Sequence, residues 1–60
     1  MENKTYVEFL SDDDYGDFKK GEIGYFLSSV YNGQRPYLVI ANTTSNTIVL
    51  CMPYMVKIIK

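Results

Sequence analysis

The chain offers few side chains for chemistry, and their placement narrows what it can do. It holds no histidine, so the Ser-His and Cys-His pairs that activate a nucleophile are out of reach. Its one cysteine, Cys51, stands between Leu50 and Met52 in an apolar run, where a thiol acts as a small buried hydrophobe rather than a reactive group. One cysteine and no histidine fall short of the four ligands of a zinc site, and no disulfide can form within the chain. Asp12, Asp13, Asp14 and Asp17 surround Tyr15-Gly16. A calcium loop needs acids at its positions 1, 3 and 5, glycine at 6 and glutamate at 12, and no register of this run satisfies that. Three adjacent aspartates in a polar stretch have no pocket to raise one carboxyl's pKa, so they are not an acid–base pair. The residues name no catalytic set, no metal and no cofactor.

Binding groups are what remain. Arg35 is the only arginine, and it stands in Asn32-Gly33-Gln34-Arg35-Pro36. A tight turn before it and a proline after it hold it in place, and its planar fork suits carboxylate or phosphate. It can equally pair with nearby acids and close the fold. The charge is split along the chain. Residues 1–22 hold all seven acids and three lysines, a net of −4; residues 23–60 hold only Arg35, Lys57 and Lys60, a net of +3. The acidic stretch is either a solvated turn that keeps an apolar chain soluble, or a docking surface for a basic partner, with Asp12, Asp13, Asp14, Tyr15 and Asp17 as its contacts. Nucleic acid has a weak footprint here. Lys19-Lys20 is the longest basic run, although tyrosines can stack bases on a sheet. Gly21-Glu22-Ile23-Gly24 has no lysine to serve a phosphate loop.

The elements that must position these groups read as strands. At 60 residues the chain makes one domain, 1–60, and hides only about 60% of the surface of its unfolded form. Strands are predicted near 5–10, 22–28, 37–41, 47–52 and 55–59, from β-branched and aromatic enrichment bounded by turn residues. Ser11 to Gly21 reads as a loop, with Asp12 or Asp13 able to cap one short helical turn that Gly21 would stop. Gly24 inside the second strand signals a bulge or the close approach of another backbone. Ser28 to Gln34 reads as a loop centred on Asn32-Gly33. Asn42 to Asn46 links two strands as an antiparallel hairpin, and Pro53 ends the second of them. Five strands in so few residues predict an all-β fold, a small five-stranded barrel.

The hairpin strands Tyr37–Ala41 and Ile48–Met52 are apolar at every position, whereas a sheet with one wet face alternates. A single-layer barrel buries only one face, so the other is expected to meet the N-terminal strand, the acidic loop or a second chain, and a homodimer or a docked protein partner is the favoured expectation. No stretch approaches the roughly 20 apolar residues of a membrane span. The polar start without an export signal, and the lone cysteine, point to the cytoplasm.

Two resemblances follow from these segments. Lys20-Gly21-Glu22-Ile23, then Asn32-Gly33-Gln34-Arg35-Pro36-Tyr37-Leu38-Val39-Ile40-Ala41-Asn42, then Thr47-Ile48-Val49-Leu50, resemble in order the front half of the MazF/PemK toxin family over residues 19–52. The resemblance implies a small dimeric barrel that cleaves single-stranded RNA without a metal. Arg35 falls on the family's active-site arginine. The family's threonine falls near Pro53-Tyr54, where this chain has none. The segments Tyr6-Val7-Glu8-Phe9, Asp17-Phe18-Lys19-Lys20-Gly21-Glu22 and Pro53-Tyr54-Met55-Val56, with the acidic loop, are similar to Src-homology-3 domains across nearly the whole chain. That resemblance implies an SH3-like barrel whose acidic and aromatic side chains, here with Tyr54 among them, bind proline-rich or basic peptides; the signature tryptophan is missing.

The expectation is therefore a non-catalytic protein-binding barrel, of a size that suits a phage or mobile-element inhibitor of a host protein. The alternative is a trimmed toxin-family barrel that binds or cleaves single-stranded RNA through Arg35.

Overall fold

The computed structural model describes residues 4–59. It is all-β, with five antiparallel strands in one sheet: β1 (Tyr6–Phe9), β2 (Ile23–Asn32), β3 (Arg35–Asn42), β4 (Thr47–Cys51) and β5 (Val56–Ile59). The strand order is β4-β3-β2-β1-β5. Hydrogen bonding leaves β4 and β5 as the two edges, so the sheet does not close into a ladder of its own. It does bend back on itself. Val7 and Phe9 of β1 share one buried cluster with Ile40 of β3 and with Val49 and Cys51 of β4, and strands so far apart in the order meet only if the sheet curls. The curl has a visible hinge, because the β2–β3 register slips between Phe26 and Ser28 and a bulge of this kind sharpens a strand's bend.

Three sequence expectations change in detail. β2 runs to Asn32, so most of the stretch read as a loop over 28–34 is strand. Ser28, Ser29, Val30 and Tyr31 pair with Val39, Leu38, Tyr37 and Pro36, and this cross-strand pairing overrides the turn propensity of Ser-Ser. The β2–β3 turn is only Gly33-Gln34, closed by the Asn32–Arg35 pair. Gly33 has φ +68°, which suits glycine at the first position of a two-residue hairpin turn. No helical turn forms in the 11–21 loop; Pro53–Met55 makes the only 3-10 turn among the described residues.

Gly24 has a packing reason. A Cβ there would lie 2.6 Å from the Ala41 carbonyl oxygen and 2.7 Å from Ile40 Cγ2, so only glycine lets β3 come this close. The loop also contributes to the core, which the sequence reading missed. Phe18 is buried and stacks on Phe9, with ring centroids 4.2 Å apart and planes at 19°. Phe18 sits among acids and glycines with no periodicity to flag it.

Candidate functional site

The 11–21 loop is held by its own carboxylates. Asp13 Oδ2 accepts from the backbone N–H groups of Tyr15 (3.2 Å) and Asp17 (3.1 Å). Asp12 Oδ1 accepts from Lys20 N at 2.9 Å. The Asp13 backbone N–H donates to the Phe18 carbonyl at 2.9 Å, which carries Phe18 into the core. Two of the four aspartates thus organise the loop. Asp14 and Asp17 are exposed, and Tyr15 is 91% exposed at the tip.

The loop is tied to the sheet through Asn42, the one buried polar residue among the described residues. Its Nδ2 donates to Glu22 Oε1 at 3.0 Å and to the Asp17 carbonyl at 3.4 Å, and its Oδ1 accepts from Thr44 N at 3.0 Å. Glu22 Oε1 also accepts from Lys19 N at 3.0 Å. Hydrogen bonding to the charged form, from Asn42 first and the Lys19 backbone second, lowers the Glu22 pKa below its ordinary 4.5.

Arg35 and Tyr54 come together. Arg35, Pro36, Met52, Pro53 and Tyr54 line an open pocket of about 250 Å³. Strand β3 delivers Arg35-Pro36 just after the Gly33-Gln34 turn, and the 3-10 turn delivers Pro53-Tyr54 just after β4. Tyr54 and Tyr31 are each 74% exposed, and Tyr31 stands opposite Pro36 in the β2–β3 register. Among the described residues the ion pair is Lys57 Nζ to Glu8 Oε1 at 3.7 Å, so Arg35 does not spend its charge on a described carboxylate.

Pro53 also borders a second, larger groove of about 490 Å³, lined by Thr5, Val7, Phe26, Leu38, Val56 and Ile58. Six of its seven lining residues are apolar. It lies on the inner side of the curled sheet, where β1 and β5 face β2 and β3, and the core does not fill it. Ile58 remains 71% exposed and Phe26 38%. The two pockets share Pro53, which sets an apolar trough beside a pocket that presents a guanidinium and a phenol. No carboxylate or imidazole lines either pocket.

The remaining nucleophile is elsewhere. Cys51 is buried in the core, and burial, with a smaller contribution from Asp13, pushes its thiol up to about 11. No group of three His, Cys, Asp or Glu among the described residues is placed to hold a metal. No helix among them is long and apolar enough to cross a membrane. Comparison with known proteins finds no matching family model, no matching curated protein and no matching solved structure.

Proposed function

We propose that this chain is a non-catalytic protein-binding domain that seats an extended segment of a partner in the trough, with Arg35 gripping an acidic group beside it. One observation carries the reading: Arg35, free of described carboxylates, lines a pocket with exposed Tyr54 that shares Pro53 with an apolar groove. A concave apolar site with one or two polar groups at its rim is the usual form of a binding site. The groove supplies burial for aliphatic or aromatic side chains, and Arg35 supplies bidentate selection for a carboxylate. A domain so equipped acts by occupancy, which suits an inhibitor of a host protein carried by a phage or mobile element.

A second reading rests on the same pair. A guanidinium beside an exposed ring also fits single-stranded RNA, with the phosphate on Arg35 and a base stacked on Tyr54 or Tyr31. The likeness of residues 19–52 to MazF/PemK toxins favours it. Pro53-Tyr54 stands where those toxins carry a threonine, and this weighs against cleavage.

Selection from a displayed peptide library separates the two. The protein reading expects enrichment of peptides with Asp or Glu next to apolar residues, and Arg35→Glu should shift the preference to Lys or Arg. If no peptide is enriched, while a single-stranded RNA oligonucleotide is retained by the native chain and lost by Arg35→Ala, RNA is the ligand and the protein reading falls.

A further inference from the structure

The backbone of β5 is open along one wall of the trough. Hydrogen bonds along β1 alternate between its two neighbours. Phe9 N–H donates to the Glu22 carbonyl, the Phe9 carbonyl accepts from Gly21 N–H, and the Thr5 carbonyl accepts from Phe26 N–H, all on the β2 side; Leu10 N–H donates to the Met55 carbonyl on the other. The even residues of β1 therefore turn their backbone groups to β5, where the register pairs Tyr6 with Ile59 and Glu8 with Lys57. Lys57 and Ile59 are thus engaged with β1. The same alternation points the N–H and C=O of Ile58, and the C=O of Val56, away from β1. β5 ends the sheet, with no strand beyond it among the described residues. None of the turn and loop bonds among those residues reaches these three groups.

The same two residues line the trough with their side chains, and Ile58 is 71% exposed. Open backbone and unfilled apolar space therefore lie side by side. Lys57, between them, points to the convex face. Its Nζ stands 3.7 Å from Glu8 Oε1, and its side chain is still 58% exposed.

We propose that the partner segment adds to the edge of β5 as a further antiparallel strand with the pattern apolar–acidic–apolar, its apolar residues opposite Ile58 and Val56 and its acid opposite Lys57. This deepens the groove reading and rests on it. Main-chain bonds to an edge strand give affinity, and alternate side chains give selectivity. Residues opposite Ile58 and Val56 share their side of the sheet, so they enter the trough and must be apolar. The residue between them emerges on the convex face. It forms a non-hydrogen-bonded pair with Lys57, the kind in which cross-strand side chains come closest. An opposite charge is favoured there and a like charge is penalised.

Lys57 also decides against the competing occupants. A second copy paired edge to edge, with Val56 opposite Ile58, would set Lys57 against Lys57. Basic strands are refused in the same way. The other edge, β4, lacks this combination, because its inward residues Val49 and Cys51 are already buried in the core. The direction of the partner follows as well. An antiparallel strand passes Ile58 before Val56 and so leads towards Pro53, which the trough shares with the pocket of Arg35 and Tyr54. The acidic group that Arg35 grips then lies C-terminal to the three-residue pattern.

Amide hydrogen exchange read by NMR tests this. The probe is the capped peptide Thr-Thr-Val-Glu-Val-Thr-Thr, and the control replaces its glutamate with lysine. In the free protein the Ile58 amide should exchange fast, and the Lys57 amide slowly. The saturating glutamate peptide should slow Ile58 at least ~10-fold. The lysine peptide should bind about 5-fold more weakly. Lys57→Gln, at an exposed ion pair that contributes little to stability, should erase that difference. Because the probe carries no second acid, Arg35→Glu should leave its binding unchanged. Shifts in the trough with Ile58 exchange unaltered would overturn strand addition and leave the groove reading standing. Equal protection by both peptides would overturn the acid opposite Lys57. No response to the probe, while display-selected peptides bind, would also overturn strand addition; if those fail too, the groove reading falls with it.

Discussion

The Asn42 side-chain amide donates to the Glu22 carboxylate at 3.0 Å, joining the end of β3 to the start of β2 at the mouth of the acidic loop. Asn42 is almost fully buried, and both ends of its amide are satisfied. A buried amide is costly unless it is fully bonded. Here it is the fastening that holds the 11–21 loop, and Phe18 with it, against the sheet.

Truncating that amide should be expensive. Asn42→Ala leaves the Thr44 N–H without its acceptor and the Glu22 carboxylate with the Lys19 N–H as its remaining donor. A loss of about 2–3 kcal/mol is expected, read as a lower urea midpoint with unchanged slope. A midpoint within error of the native one would show that the bonds contribute nothing net.

The same contact sets a pH dependence. The folded Glu22 pKa is lowered below 4.5 by Asn42 and the Lys19 backbone. The unfolded chain therefore binds the proton more readily than the folded one. The stabilisation is fully present above the unfolded value and is lost as pH falls through the lower, folded value. Melting temperatures of the native chain and of Glu22→Gln, measured from neutral pH down into acid, should differ near neutrality and converge below pH 4.5. A constant difference at all pH values would contradict this origin.

Gly24→Ala should be severe although it adds a single methyl. The new Cβ would meet the Ala41 carbonyl oxygen at 2.6 Å, and backbone cannot yield as a side-chain tip can. At least ~2 kcal/mol is expected. A crystal structure or melt showing Gly24→Ala to be neutral would mean that β3 can move away from β2 at no cost.

Phe18→Ala removes one partner of the stacked pair. Buried Phe→Ala substitutions cost about 3–5 kcal/mol, and domains of this size have about 3–5 kcal/mol in total. The variant is expected to be largely unfolded at room temperature by circular dichroism, while Tyr15→Ala, three residues away and exposed, should melt like the native chain.

Cys51 should be inert in the folded protein. Burial pushes its thiol up to about 11, so at pH 8 on the order of 0.1% is thiolate. Reaction with iodoacetamide should be slow in buffer and fast in urea. Rapid labelling without denaturant would mean that β4 opens readily.

The strands were legible in the sequence where apolar residues met clear punctuation. The β3–β4 hairpin, its turn over residues 43–46 and the stop at Pro53 follow from residue type alone, and Gly24 announced its close contact. Ser28-Ser29 misled because serines belong to turns by local chemistry, and only pairing with Val39 and Leu38 makes them strand. Phe18 was invisible because loop residues reach a core by long-range geometry that has no sequence period. The meeting of Arg35 and Tyr54 was half visible: each stood out alone, but their shared pocket depends on how the 3-10 turn folds back towards the start of β3. In a cluster that reads either as a solvated turn or as a surface for partners, Asp12 and Asp13 also hold the loop backbone, a role residue type alone does not announce.

The central claim is that the trough, with the pocket of Arg35 and Tyr54 that shares its Pro53, is the binding site. Amide chemical-shift mapping tests it most directly, by titrating labelled protein with an acidic–apolar peptide enriched in the display selection. Shifts should cluster on Arg35, Met52, Tyr54, Val56 and Ile58, and Arg35→Glu should abolish them without altering the spectrum elsewhere. Shifts confined to the 11–21 loop or to the convex face, or a peptide response unchanged by Arg35→Glu, would contradict it.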